Sequence, residues 1–103
     1  MPKINPPSEA EAERLQMLAE ECAEVIQVVN KILRHGFGSY NPTLPIERQT
    51  TNKDDLEREL LDVKAVVWAM QNGGELDGEP GYSMLEETWA KKLRYTHHQA
   101  VSP

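Results

Sequence analysis

The chain has 103 residues, 17 acidic against 11 basic side chains and a net charge of −6 at pH 7. With no basic stripe, that balance disfavours binding to a nucleic-acid polymer through its phosphates, and no apolar run approaches the ~20 residues needed to span a membrane. The length gives one domain, 1–103, with its core at about 8–95 and frayed ends, and so small a chain covers more apolar surface by associating with itself as a homodimer or homotetramer.

The opening Met-Pro-Lys-Ile-Asn-Pro-Pro lacks the apolar stretch of a signal peptide, and the expected location is the cytoplasm. Ser8, followed three residues later by Glu11, forms a capping box that opens a helix running to about Arg34, with Gly36 as its stop. Leu15, Leu18, Cys22, Val25 or Ile26, Val29 and Leu33 recur at steps of three and four and make an apolar stripe, the expected core face. Cys22 reads there as a small apolar residue; being the sole cysteine, it forms no intramolecular disulfide and gives no sign of an oxidising compartment. Beside the stripe runs a second row, Met17, Glu21, Glu24, Val28 and His35, in which acids alternate with apolar residues.

Residues 36–51 hold two glycines and two prolines and read as a long loop, a length that in a small domain often serves function. Asn52 with Asp55 caps a second helix reaching about Gln71. Leu56, Leu60, Val63, Val67 and Met70 form its core stripe, and Glu59, Asp62, Val66 and Ala69 its flanking row. Glu75, Asp77 and Glu79 lack the ligand count of a calcium loop and read as solvated turn residues. Ser83 with Glu86 caps a third helix carrying Leu85, Trp89 and Leu93, and the tail from Thr96 is frayed. Trp68 and Trp89 are assigned to the core or a subunit interface. The expected fold is all-α: a bundle of two long antiparallel helices and at least one shorter one, completed by oligomerisation.

The two long helices echo one another. Slid by 38 positions, Glu21, Val25, Val28 and Val29 fall on Glu59, Val63, Val66 and Val67, and Glu24 falls on Asp62. Each pair of acids, three residues apart, shares one helix face and is flanked by Val and Met where a solvent face would carry Lys and Gln. Partly buried carboxylates close together repel one another and resist ionising, and a divalent cation relieves both costs. The four acids therefore form a candidate metal site.

Glu20-Glu21-Cys22-Ala23-Glu24 followed by Glu59-Leu60-Leu61-Asp62 resembles the EExxE and ExxD signature of the MazG-like all-α nucleoside triphosphate pyrophosphohydrolases. The likeness covers about residues 10–70, and Lys-Ile-Leu-Arg-His-Gly-Phe at 31–37 also resembles short single-domain members. It implies hydrolysis of a nucleoside triphosphate, often a deoxynucleotide, to the monophosphate and pyrophosphate, in adjusting or cleaning a nucleotide pool. It also implies Mg²⁺, or Mn²⁺ in its place, held by Glu21, Glu24, Glu59 and Asp62, with Glu20 a nearby acid. The 34 residues from 25 to 58 exceed the usual spacing of the half-motifs, so the surplus is assigned to an inserted loop.

Such a reaction needs hard-cation ligands, a water-activating carboxylate supplied by Glu20 or a motif acid, and cations for the phosphates. Lys31, Arg34 and His35 at one helix end, and Lys91, Lys92 and Arg94 at another, are the candidates, and they equally suit the C-terminal helix dipole. Phe37 and Tyr40 offer rings for stacking on a base or for anchoring the loop. Two other classes fit the acid rows: a non-catalytic helical interaction module, and a carboxylate-bridged di-iron bundle. The last expects Glu-x-x-His pairs, which this sequence lacks.

Overall fold

A computed structural model of the chain describes residues 5–99. Three α-helices, α1 (Glu9–His35), α2 (Asn52–Asn72) and α3 (Tyr82–Leu93), follow in order, with a 3-10 turn at Ile46–Arg48 in the long loop and no strand among the described residues. None of these helices is long and apolar enough to cross a membrane. Residues 1–4 and 100–103, and with them the outermost parts of the expected frayed ends, lie outside the described residues.

The start of α1 is closed by the expected reciprocal pair: Ser8 N–H donates to Glu11 Oε1 at 2.8 Å and Glu11 N–H donates to Ser8 Oγ at 3.2 Å. Its end is Gly36, at φ +89°, a backbone conformation that a residue with Cβ reaches only under strain. The cap of α2 differs from the expected Asn52 and Asp55. Thr51 Oγ1 accepts from Asp54 N–H at 3.1 Å and Asp54 Oδ2 accepts from Thr51 N–H at 3.0 Å, so the box sits one residue earlier. Asn52 is thereby freed for a tertiary role. The start of α3 differs as well: Gly81 is its N-cap with no side-chain bond, and Ser83 and Glu86 lie inside the helix.

Contacts between the long helices occur at both ends. Asn52, first in α2, donates from Nδ2 to the Gly36 carbonyl at 3.1 Å, its own N–H donates to Ser39 O at 2.9 Å, and Lys53 N–H donates to Phe37 O at 2.9 Å. Arg14, near the start of α1, is ion-paired with Glu75, just beyond the end of α2. Glu75 is thus a correction: its side chain is only 11% exposed, because the guanidinium allows the carboxylate to leave solvent.

Along α1 the more protected positions are Arg14, Leu18, Glu21, Val25, Val28 and Ile32, a row at steps of three and four that faces α2. On α2 the corresponding positions include Asn52, Asp55, Glu59, Asp62, Val66 and Met70. The helix contact therefore draws on both expected rows: Leu18 and Val25 of the α1 core stripe and Leu56, Val63, Val67 and Met70 of the α2 core stripe are protected together with Glu21, Val28, Glu59, Asp62 and Val66, whereas Met17, Glu24 and His35 are exposed. Much of the expected core stripe of α1 is open instead, with Ile26 61% and Leu33 78% exposed. Periodicity locates apolar rows but not which row a neighbour in the same chain covers, and here Val28 and Met70 are the buried apolar side chains among the described residues. Trp68 and Trp89, at 65% and 50% exposure, are likewise not in the core of the chain. No Cα of α3 comes within 8 Å of α1 or α2.

Candidate metal centre

Four carboxylates meet midway along the helix contact. Helix periodicity puts Glu21 and Glu24 one turn apart on α1, and Glu59 and Asp62 likewise on α2. One oxygen from each of the four lies within 4.8 Å of the others. Glu21, Glu59 and Asp62 are half-buried and Glu24 is exposed, so the cluster is walled by the helices on one side and open on the other. The two pairs singled out by their spacing are therefore brought together. Glu20 is not; it is exposed on α1 outside the cluster.

The electrostatics of the cluster are those of a site short of positive charge. The Glu59 carboxyl is held above its ordinary value of 4.5, first by a proton-sharing contact with Glu24, then by burial, then by the charges of Glu24 and Asp62. Arg58 opposes this shift, with its Nη2 at 3.7 Å from Glu59 Oε1 and its Nη1 at 3.2 Å from Asp55 Oδ1. One oxygen each of Glu21 and Glu59 is buried and faces no hydrogen-bond donor. Buried carboxylate oxygens without donors are costly, and a cation is the ligand that satisfies several at once. An all-oxygen donor set fits a hard divalent ion, Mg²⁺ or Mn²⁺, and offers neither thiolate nor imidazole for a softer one.

No family model matches the chain, and no curated protein or solved structure matches it.

A cavity of about 340 Å³ opens where the end of α1 meets the start of α2. Lys31, His35, Tyr40, Asn41, Asn52 and Asp55 are among its lining residues. Lys31 is seven residues beyond Glu24 on α1, or about 10 Å along the axis, and Asp55 precedes Glu59 by one turn. The cavity and the carboxylates thus occupy neighbouring stretches of the same helix pair. Lys31, His35 and Tyr40, singled out as substrate contacts, fall together here. Arg34 and Phe37 are exposed and do not line this cavity, although the Phe37 carbonyl helps anchor α2. Lys91, Lys92 and Arg94 belong to the end of α3 and the residue after it, and the fold of one chain does not bring them to the acids.

Three contributors escaped the sequence reading. Asn52 is buried and links the loop to the helix end, an environment that only the tertiary contact creates. Asp55 accepts from Thr50 Oγ1 at 2.7 Å and presents a fixed carboxylate at the cavity wall. Arg58 is the cation nearest the cluster; its position directly before Glu59 and three residues after Asp55 was the available signal.

Proposed function

We propose that this protein is a Mg²⁺-dependent pyrophosphohydrolase that converts a nucleoside or deoxynucleoside triphosphate to the monophosphate and pyrophosphate. The observation that carries the reading is the convergence of Glu21, Glu24, Glu59 and Asp62 to within 4.8 Å, with buried oxygens of Glu21 and Glu59 facing no donor. The reading takes the two long helices as antiparallel, which the ties between Arg14 and Glu75 and between Gly36 and Asn52 support.

Glu21, Glu24, Glu59 and Asp62 would hold the ion, which when bound neutralises charge developing on the phosphoryl oxygens and acidifies water. Glu24, exposed at the open side of the cluster, is the carboxylate best placed to accept a proton from an attacking water. The nucleoside would lie toward the cavity, where Tyr40 offers a ring face and Asn41 and Asn52 offer amides. Lys31 and His35 lie at that wall within reach of an anionic ligand and compensate the negative charge of the cluster. The resemblance of Glu20–Glu24 and Glu59–Asp62 to the MazG-like signature points the same way. An interaction module using these acids to grip a basic partner would present them outward, whereas three of the four are turned into the helix contact.

The test is release of monophosphate and pyrophosphate from a panel of canonical and modified NTPs and dNTPs, with Mg²⁺, Mn²⁺ or a chelator. Metal-dependent release of both products is the expected outcome. No turnover by folded protein across the panel would refute the proposal.

A further inference from the structure

On the pyrophosphohydrolase reading the nucleoside lies toward the cavity and its phosphates run to the acids, so they cross the stretch of α2 between Asp55, on the cavity wall, and Glu59, in the cluster. These residues are four apart, or about 6 Å along the helix axis. Charge is the difficulty in that stretch. The cluster brings Glu21, Glu24, Glu59 and Asp62, Asp55 adds another carboxylate, and a triphosphate adds more negative charge than one divalent ion offsets. A positive side chain is needed where the phosphates cross, whereas Lys31 and His35 stand on α1 at the cavity wall.

Arg58 stands at the crossing. Its guanidinium reaches toward both flanking acids, with Nη1 3.2 Å from Asp55 Oδ1 and Nη2 3.7 Å from Glu59 Oε1. Both contacts are loose. The second is longer than a hydrogen bond, and the Arg58 side chain is 56% exposed, so water screens the attraction and the guanidinium leaves at little cost. When it leaves, Asp55 Oδ1 keeps the Thr50 hydroxyl as its donor. Glu59, whose other oxygen is buried and faces no donor, is one of the acids assigned to the cation, which takes the place of Arg58 there. The guanidinium is always charged, and its planar fork matches a pair of phosphate oxygens as a lone ammonium does not.

We propose that Arg58 is a phosphate-binding residue: in the metal-free protein its guanidinium is a counter-charge to Asp55 and Glu59, and with a cation on the acids it turns to non-bridging oxygens of the triphosphate. The inference rests on the pyrophosphohydrolase reading and adds to it a contact that neither the spacing of the acids nor the resemblance assigns. It gives Arg58 two effects of opposite sign. Without substrate the guanidinium competes with the ion for Glu59, and with substrate it shares the phosphate charge with the ion.

Two variants of the full chain separate these effects: Arg58→Gln removes the charge, and Arg58→Lys keeps the charge but loses the fork. Mg²⁺ alone, titrated by calorimetry, is expected to bind Arg58→Gln several-fold more tightly than wild type, because a positive neighbour of the acids is gone. Non-hydrolysable α,β-imido analogues of the deoxynucleoside triphosphates, in the same Mg²⁺, are expected to bind Arg58→Gln roughly tenfold to a hundredfold more weakly, the range of a hydrogen bond to a charged group. Arg58→Lys should bind them several-fold more weakly at the wild-type affinity for Mg²⁺. Wild-type analogue affinity in either variant would overturn the proposal, whatever happens to Mg²⁺, and would leave Arg58 a counter-charge alone. If Arg58→Gln does not fold, the Arg58→Lys result decides. A wild type that hydrolyses triphosphates while both variants keep its KM overturns this inference and leaves the catalytic reading standing. A wild type that binds no analogue and releases no pyrophosphate removes both.

Discussion

Replacing Asp62 with Asn keeps the shape of the side chain and removes one charge from a cluster whose oxygens lie within 4.8 Å of one another. A pair of unit charges at that separation repels by about 0.9 kcal/mol in water and about 3.5 kcal/mol at an effective dielectric of 20. Exposure of Glu24 and the open side of the cluster pull the sum toward the lower end, so the metal-free Asp62→Asn protein should be more stable than wild type by about 1 kcal/mol. For a domain of this size that corresponds to a rise of about 4–8 °C in Tm. On the proposed function the order should reverse in Mg²⁺, because wild type would gain the binding free energy, about 2.7 kcal/mol at a hundredfold excess over Kd, while the variant would have lost a ligand. Thermal unfolding followed by circular dichroism, at one protein concentration and in EDTA or Mg²⁺, reads both signs, and turnover should vanish with the metal response. A variant less stable than wild type in EDTA and equally stabilised by Mg²⁺ would refute the reasoning.

The raised Glu59 value means that its ionised form costs the metal-free fold stability. Stability from this group should therefore rise as pH falls from neutral through its raised value, and Glu59→Gln should flatten that part of a urea-midpoint profile. Glu11 and Asp54, held below 4.5 and 3.8 by their Ser8 and Thr51 cap bonds, act in the opposite direction: their contribution is present above those values and lost as pH falls through the lowered ones. Ser8→Ala and Thr51→Ala should each cost about 0.5–2 kcal/mol in chemical unfolding with an unchanged m-value. Asn52→Ala leaves the Gly36 carbonyl without its donor, and should cost about 1–3 kcal/mol and increase amide exchange at residues 36–39. Lys31→Ala should raise KM for the triphosphate with little change in kcat if Lys31 binds ground state and transition state alike, measured by steady-state pyrophosphate release.

The helices were legible because their signals are local. Ser8 with Glu11, Gly36, and the three-and-four spacing of apolar residues act within a few turns of chain, and Glu9–His35 forms as they indicate. That each pair of acids shares one helix face was also legible from its spacing, whereas the meeting of the two faces rests on the contact between the helices. The second cap was misplaced by one residue because Thr51 with Asp54 and Asn52 with Asp55 offer the same local chemistry, and the bond from Asn52 to Gly36 decides between them.

What the sequence determined by itself is the set of helices, the apolar rows along them and the residues able to hold a cation. Tertiary structure alone decided which row faces which. It turned Glu21, Glu59 and Asp62 into the helix contact beside Leu18, Val25 and Met70 and left Leu15, Cys22, Ile26, Val29 and Leu33 uncovered, drew Glu75 out of solvent onto Arg14, gathered Lys31, His35 and Tyr40 around one cavity, and held Lys91 and Arg94 away from the acids. The physical reason is that a helix with two apolar rows has two faces of similar burial energy. The choice between them rests on contacts with residues distant in the chain, which no local spacing encodes.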